Sequence, residues 1–155
     1  MKVLLAIDGS QHSAAALEEV ASRQWPAGTE VKVLTVVHSG TPLLVDPAFV
    51  MAAVYVETMQ ELRRLAPELL AAAAARLKRD HPKLAITTKA LEGTPRELIV
   101  QEAADWGADL IVLGSHGHGP LRQALFGSVA TGVAADAACA VEIIRAGRQA
   151  VSVRQ

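Results

Sequence analysis

The chain contains very little cysteine and few aromatic residues. One of its 155 residues is a cysteine, Cys139, which excludes an intrachain disulfide framework and a multi-cysteine zinc site. Two Trp, two Phe and one Tyr make up 3% of the chain, too few rings for the stacking platforms that hold single-stranded nucleic acid. A lone cysteine is also typical of proteins in a reducing compartment, so we expect a cytoplasmic location.

Net charge and long apolar runs are lacking as well. Fifteen Lys and Arg balance sixteen Asp and Glu, for a formal net charge of −1, which argues against binding nucleic acid or anionic lipid by bulk charge. The start of the chain has six apolar residues before Asp8, too few for a signal-peptide core. The run over 69–75 is far shorter than the roughly 20 residues that cross a bilayer. We therefore expect no nucleic-acid partner and no membrane insertion.

Short β-branched runs alternate with longer Ala-rich amphipathic runs, which is the pattern of a parallel α/β sheet. The predicted strands are 3–7, 31–37, 84–91, 109–113 and 141–144. The predicted helices are 11–24, about 52–79, about 95–106 and 128 to about 137. The pattern predicts an open five-stranded parallel sheet with helices on both faces, formed by a single domain over 1–145. Residues 146–155 are predicted to be a flexible tail.

Local signals mark the ends of two helices. Pro67 is predicted to kink the long second helix or to mark a boundary within it. The sequence from Thr94 to Glu97 is a capping box with proline at the first helical position, and Gly107 closes that helix.

Residues with distinctive chemistry follow the first and fourth predicted strands. In open α/β sheets, ligands bind at the carboxyl ends of the strands, so these residues are candidates for a binding site. Asp8 follows the first strand, and three glycines within six residues follow the fourth, beginning at Gly114. Glycines allow backbone N–H groups to surround an anion. Gly127 and Ser128 then open the last helix, whose N terminus favours phosphate, with Ser128 as the predicted N-cap. The segment lacks the lysine of a Walker loop and does not follow the first strand, as a Rossmann fingerprint would.

Each of these residues also has a purely structural interpretation. The glycines either approach a ligand or only turn the chain, and Asp8 either contacts a ligand or caps a turn. The histidines at 116 and 118 are interpreted as loop hydrogen-bonding groups in preference to a metal pair, because no third ligand lies nearby in sequence. Arg122 either meets a phosphate or is solvated. Cys139 is interpreted as a small core residue.

The spacing of Gly114, Gly117 and Gly127-Ser128, with two and nine residues between them, resembles the ATP-binding motif of the universal stress protein family. Residues 3–10 are similar to the family's opening strand and acidic turn, and residues 108–117 to its most recognisable stretch. The resemblance covers nearly the whole chain and includes length and element order. It implies a Rossmann-like, adenine nucleotide alpha hydrolase-like fold of the ATP-binding subclass.

The resemblance also implies a site for ATP, ADP or AMP between the first and fourth strands, together with Mg²⁺ or Mn²⁺ whose ligands it leaves unassigned. The residues implied to contact the adenine and ribose are Ala6, Ile7, Asp8 and Val36. Those implied to surround the ribose and phosphates are Gly114, Ser115, His116, Gly117 and His118. Those implied to bind the phosphates are Gly127, Ser128 and Val129.

Two departures from the family pattern concern the loop and the last strand. Pro120 stands where members commonly have glycine, and residues 138–142 read Ala-Cys-Ala-Val-Glu in place of Pro-Cys-Pro-Val. The resemblance implies a homodimer through the last strand. Glu142 argues against that dimer, because a charge on an edge strand opposes strand pairing.

The expected function is that of a regulatory nucleotide sensor in a stress response, with at most slow ATP hydrolysis. Phosphoryl transfer needs a placed cation and an oriented nucleophile, whereas no lysine lies within 114–128 and Asp8 is the one acid assigned to the site. The alternative is a module that docks a protein partner or a transporter without a nucleotide. A receiver domain is disfavoured because Asp8 has no acidic neighbour and no aspartate ends the third strand.

Overall fold

The computed structural model describes residues 1–38, 48–116 and 126–146, with the backbone alone over 48–55. The described elements alternate between strand and helix, as predicted. The strands are β1 (Lys2–Ala6), β2 (Glu30–His38), β3 (Ala85–Gly93), β4 (Leu110–Gly114) and β5 (Ala140–Ile144). The helices are α1 (Gln11–Ser22), α2 (Ala48–Asp80), α3 (Pro95–Trp106) and α4 (Ser128–Asp136). Their bounds lie within about two residues of the predicted ones, except that α2 begins at Ala48 and not near Ala52.

The five strands form one parallel sheet in the order β3-β2-β1-β4-β5, which confirms the predicted α/β fold. The strand order reverses between β1 and β4, which pair directly with Ala6 opposite Leu113. The helices after β1 and β2 pack on one face of the sheet, and those after β3 and β4 on the other. The carboxyl ends of β1 and β4 therefore form the switch point at which such sheets hold ligands.

The core lies on both faces of the sheet because β1 is apolar on both. Val3 and Leu5 pack with Val20 of α1 and Leu77 of α2. The alternate residue Leu4 packs on the opposite face, against α3 and α4. Val3, Leu4 and Leu5 are all 0% exposed, as expected for a strand covered on both faces.

Pro67 lies inside α2, which continues without a boundary from Ala48 to Asp80, so the predicted internal boundary is wrong. Buried residues on both sides of the proline explain the continuity. Ala66 packs with Met59 and Val37, and Leu70 begins the part of α2 that joins the main core. Their burial outweighs the cost of about 3 kcal/mol that an interior proline imposes. No helix in the described ranges is both long and apolar enough to cross a membrane.

The N terminus of α3 has the predicted position but not the predicted side-chain hydrogen bond. Thr94 is the N-cap and Pro95 the first helical residue, yet the Thr94 side chain makes no capping hydrogen bond, so the capping box is wrong in that respect. The helix closes at Gly107, whose φ of 70° is the left-handed conformation that glycine adopts at low cost.

Candidate functional site

The turns after β1 and β4 contact each other at the carboxyl edge of the sheet. Residues 7–10 connect β1 to α1, and Ser115 and His116 continue from β4. The Ser10 hydroxyl lies 3.4 Å from the carbonyl oxygen of His116, to which it donates. The Asp8 turn and the two described residues after Gly114, Ser115 and His116, therefore belong to one edge of the molecule.

Asp8 stabilises the turn that starts α1. Its Oδ1 accepts the N–H of Ser10 at 2.9 Å, and Ser10 is the N-cap of α1, accepting the N–H of Ser13 at 3.2 Å. The structural interpretation of Asp8 therefore describes a hydrogen bond that exists. The Asp8 side chain is also exposed, so its role in the turn is compatible with a ligand contact.

Ala6, Ile7 and Val36 lie at the ends of the two strands beside this turn. Ala6 and Ile7 are buried, and the Ile7 N–H donates to the carbonyl of Leu34 at 2.9 Å. Val36 is half-buried near the end of β2 and packs against the core on the α3 face. Of the three, Val36 therefore presents the apolar side-chain surface that an adenine ring would need.

Gly114 is required by packing within the protein. A Cβ atom at this position would lie 2.6 Å from the carbonyl carbon of His12 and 2.8 Å from the backbone nitrogen of Ser13. Because the first turn of α1 packs directly on the end of β4, only glycine fits there without moving backbone. This reason differs from both interpretations that the sequence suggested, the chain turn and the ligand approach.

The N terminus of α4 is attached to the end of β4. The Gly127 N–H donates to the carbonyl of Ser115 at 2.6 Å. Gly127, not Ser128, is the N-cap of α4, so the predicted capping role of Ser128 is wrong. Because glycine has no side chain with which to cap, the first-turn N–H groups depend on other acceptors, and the helix dipole favours an anion there. Ser128 is exposed at the first helical position, and Val129 is half-buried.

Ser115 and His116 form a cluster with a third residue, His12, that sequence reasoning missed. The Ser115 side chain is fully buried, and its Oγ lies 3.0 Å from Nδ1 of His12 and 3.2 Å from Nδ1 of His116. The two imidazole rings are tilted at 51° with centroids 5.1 Å apart. The signal available in the sequence was position, because His12 is in the first turn of the helix that follows β1.

A cation also lies at this edge. The guanidinium carbon of Arg145, which follows β5, is 4.8 Å from the centroid of the Phe126 ring, and Phe126 directly precedes the N-cap of α4. Phe126 is 38% exposed. Arg145 and Phe126 were not among the predicted site residues.

Two predicted site residues, Gly117 and His118, lie outside the described residues. Pro120, a departure from the family pattern, and Arg122, which either meets a phosphate or is solvated, lie outside them as well. Within residues 1–38, 48–116 and 126–146, no three His, Cys, Asp or Glu side chains lie close enough to hold a metal ion. Asp8 is thus the described carboxylate at the edge that could meet a cation carried by a ligand.

The edge strand β5 carries Glu142, which has a partner within its own chain. Both of its carboxylate oxygens accept hydrogen bonds from the Arg23 guanidinium, at 2.7 and 2.9 Å, and Arg23 also bonds Glu19 at 2.7 Å. These hydrogen bonds, that from Glu142 first, raise the pKa of Arg23 above its ordinary value. The charge that argued against pairing at this strand is therefore partly offset by Arg23, which Glu142 shares with Glu19.

Cys139 is half-buried against the core on the α3 and α4 face. Burial raises the pKa of its thiol, which disfavours the reactive thiolate. Its packing agrees with the interpretation of Cys139 as a small core residue.

Comparison with known proteins shows the family to which this chain is similar. Residues 1–145 match the model of the universal stress protein family. Universal stress protein YxiE of Bacillus subtilis is 30% identical over 150 residues, which cover 93% of this chain and 98% of that protein. A universal stress protein of Thermus aquaticus is 31% identical, over 92% of this chain and 97% of that protein.

Solved structures show the same fold. The hypothetical protein MJ0577 superposes with a TM-score of 0.74 at 25% identity, over 93% of this chain and 94% of that one. A universal stress protein in complex with cAMP has a TM-score of 0.68 at 20% identity, over 94% of this chain and 97% of that one. A universal stress protein family protein of Arabidopsis thaliana with AMP bound has a TM-score of 0.67 at 16% identity, over 96% of this chain and 93% of that one. At such low identities the last two likenesses concern the fold alone. From the family match and the two relatives, the chain belongs to the universal stress protein family.

Proposed function

We propose that this chain binds an adenine nucleotide, ATP foremost, at the carboxyl edge of β1 and β4. The observation that carries the proposal is the 2.6 Å hydrogen bond from the Gly127 N–H to the Ser115 carbonyl. It holds the N terminus of α4 beside the Asp8 turn, at the switch point of the sheet. Two proteins of the same fold contain cAMP and AMP, which supports this class of ligand.

The chemistry of the edge fits the parts of a nucleotide. The N terminus of α4 offers backbone N–H groups and the positive end of a helix dipole to phosphates. The exposed Asp8 carboxylate can accept hydrogen bonds from ribose hydroxyls. Val36 offers apolar surface to the adenine. The remaining predicted contacts, at Gly117 and His118, belong to the same proposal, as does a Mg²⁺ or Mn²⁺ ion held by the phosphates.

We infer a regulatory nucleotide sensor with at most slow hydrolysis. Among the residues that the structure describes at this edge, the cation is Arg145 and the carboxylate is Asp8, which already bonds the Ser10 N–H. Rapid phosphoryl transfer needs an oriented nucleophile in addition to a placed cation. The proposal includes action in the cytoplasm as part of a stress response.

A homodimer through β5 belongs to the same proposal. β5 is an edge strand, so one side of its backbone faces away from the sheet. Because Glu142 pairs with Arg23, which it shares with Glu19, the charge on that strand is a weaker obstacle to pairing than the sequence suggested. Light scattering after size-exclusion chromatography tests the dimer, and a monomeric mass at all protein concentrations would contradict it.

The test of nucleotide binding is titration calorimetry of the purified protein with ATP, using Ser128→Asp. Ser128 is exposed at the first position of α4, where a new carboxylate stabilises the helix by about 0.3–1 kcal/mol but repels a phosphate. We expect ATP affinity to fall about tenfold or more while the thermal midpoint is kept or raised. Ala134→Asp, which adds the same charge at an exposed position later in α4, is the matched control and should bind ATP like the wild type.

Two results would contradict the proposal that this chain binds a nucleotide. One is a wild-type protein that binds no ATP, ADP or AMP at millimolar concentration. The other is an equal loss of affinity in Ser128→Asp and Ala134→Asp. The first result, together with protein partners captured by the wild type, would favour the alternative of a docking module. Mass spectrometry of small molecules released on heat denaturation identifies the nucleotide that the protein carries.

A further inference from the structure

We propose that His12 is a positioning residue that makes nucleotide binding pH-dependent, through its hydrogen bonds to Ser115 and to the backbone of Ala146. This inference rests on the proposed function and concerns the regulation of the same site. His12 is not expected to contact the nucleotide. It acts through the buried Ser115, on which the N terminus of α4 is held.

One nitrogen atom of His12 joins elements that follow three different strands. Nδ1 lies 3.0 Å from the Oγ of Ser115, which follows β4, and 3.2 Å from the backbone nitrogen of Ala146, which follows β5. His12 itself is in the first turn of α1, which follows β1. The hydrogen bonds of the imidazole therefore connect the carboxyl ends of β1, β4 and β5.

The partners of His12 determine its protonation state. The Ala146 N–H can only donate, so Nδ1 of His12 must carry a lone pair and the proton lies on Nε2 of a neutral ring. The Ser115 hydroxyl has one proton, which it then donates to His12, sharing the single Nδ1 lone pair with the Ala146 N–H, and it accepts the Nδ1–H of His116 at 3.2 Å. The tautomers assigned from these partners give one direction of donation, from His116 through Ser115 to His12.

Protonation of His12 is incompatible with this arrangement. A proton on Nδ1 would face the Ala146 N–H and would remove the acceptor for the Ser115 hydroxyl. Ser115 also accepts the Gly127 N–H and donates its own N–H to Ile144, at 2.7 Å, so a shift of Ser115 moves the N terminus of α4. His116 differs, because its Nδ1 donates whether the ring is neutral or charged. The neutral form of His12 therefore keeps the phosphate-binding end of α4 in place, and acid disrupts it.

Other charged or titratable groups occur at the same strand ends and on the packed faces. Asp8, His116 and Arg145 are at the ends, and Glu142 pairs with Arg23 between β5 and α1. The nucleotide phosphates titrate in this range as well. The contributions of Asp8, Arg145, the Glu142–Arg23 pair and the phosphates are common to the wild type and to variants of His12, so the comparison between them cancels these contributions. His116 shares the Ser115 hydroxyl with His12, and the Ala146 amide, which bonds His12, distinguishes the two histidines.

The binding test measures ATP affinity from about pH 8 to about pH 5.5, the range in which imidazoles titrate. His12→Asn places an amide oxygen near the position of Nδ1, where it can accept from Ser115 and Ala146 but takes up no proton. We expect this variant to bind within about threefold of the wild type at pH 8, and His12→Ala to bind about tenfold more weakly, equivalent to about one hydrogen bond. Between these pH values the wild type should lose about tenfold more affinity than His12→Asn. Identical pH profiles for those two proteins would overturn the inference, as would equal weakness of His12→Asn and His12→Ala at pH 8.

Nuclear magnetic resonance of the nucleotide-free protein separates this inference from the proposed function. Long-range proton–nitrogen spectra should show His12 Nδ1 without a proton at about pH 8, and the Ala146 amide signal should shift together with the His12 ring signals between about pH 8 and about pH 5.5. If nucleotide binds but the Ala146 signal does not follow His12, the inference fails and the proposed function stands. If no nucleotide binds while the Ala146 signal does follow, the proposed function fails and the contact between His12 and Ala146 is established.

Discussion

Replacing Glu102 with glutamine should destabilise the protein markedly, although Glu102 is far from the ligand edge in sequence. Glu102 is on α3 and only 7% exposed. Its two carboxylate oxygens accept hydrogen bonds from Lys32 of β2 at 2.7 Å and from Lys89 of β3 at 2.6 Å. Burial alone would raise the pKa of the Glu102 carboxyl, but the hydrogen bonds from the two lysines outweigh burial and hold that pKa below its ordinary value.

The size of the loss of stability in Glu102→Gln follows from the hydrogen bond that each lysine loses. Hydrogen bonds to charged groups contribute about 1.5–3 kcal/mol each. The Lys89 side chain is 45% exposed and recovers water, whereas the Lys32 side chain is 15% exposed and does not. Lys32 keeps its position 4.4 Å from the Trp106 ring, and glutamine keeps one acceptor oxygen. We therefore expect Glu102→Gln to lower the free energy of unfolding by about 2–3 kcal/mol at neutral pH.

The pH dependence gives a second, independent measurement. A carboxyl whose pKa is lowered by folding stabilises the protein above its unfolded value, about 4.3 for Glu, and this stability is lost as the pH falls through the lower folded value. Urea unfolding curves of the wild type and Glu102→Gln should therefore differ most at neutral pH and converge in acid, where a protonated Glu102 resembles glutamine. Glu92→Gln, which breaks an exposed ion pair to Arg63, is the control and should change stability little. A Glu102→Gln effect below about 0.5 kcal/mol at neutral pH would refute the reasoning.

Two further predictions concern the packing of two glycines and the ion pair between Arg23 and Glu142. Gly114→Ala should lower the free energy of unfolding by about 2–4 kcal/mol, because its Cβ would meet the His12 backbone. Gly132→Ala should be close to neutral in the same urea titration, because the atoms nearest to its Cβ belong to the Arg96 side chain, which is 51% exposed and can move aside; equal losses would contradict this contrast. Arg23→Ala should cost about 1 kcal/mol or less and, by leaving Glu142 without its partner on the edge strand, should raise the dissociation constant of the proposed dimer; an unchanged constant in light scattering would count against pairing through β5.

Local sequence signals predicted the strands and helices well, because each of these segments contains its own pattern of apolar residues, and the fold depends on that pattern. The apolar run at 3–7 predicted a strand covered on both faces, and β1 is buried on both. The boundary predicted at Pro67 was wrong because a proline removes one backbone hydrogen bond of the helix, whereas the burial of Ala66 and Leu70 keeps the helix continuous. At Thr94 the sequence predicted where the helix begins, but it did not determine the orientation of one side chain.

The candidate site was predictable where it depended on strand ends and not where it depended on packing between distant segments. Asp8 and the glycines beginning at Gly114 were selected because parallel strands end at the same edge, and Ser115 was implied by the resemblance to the family. The requirement for Gly114 arises from the approach of α1 to β4, which no local pattern expresses. His12 was missed for the same reason, since its partners Ser115 and Ala146 are 103 and 134 residues away along the chain.

Helix α1 bonds the sheet through side chains near both of its termini. Its first turn bonds Ser115 and Ala146 through His12, and Arg23, just past its last residue, bonds Glu142 in the middle of β5. Between these points the helix is a rod of about 18 Å, since each of its 12 residues rises about 1.5 Å. Helix α1 therefore connects the ligand edge, at its first turn, to the outer strand β5, at its last.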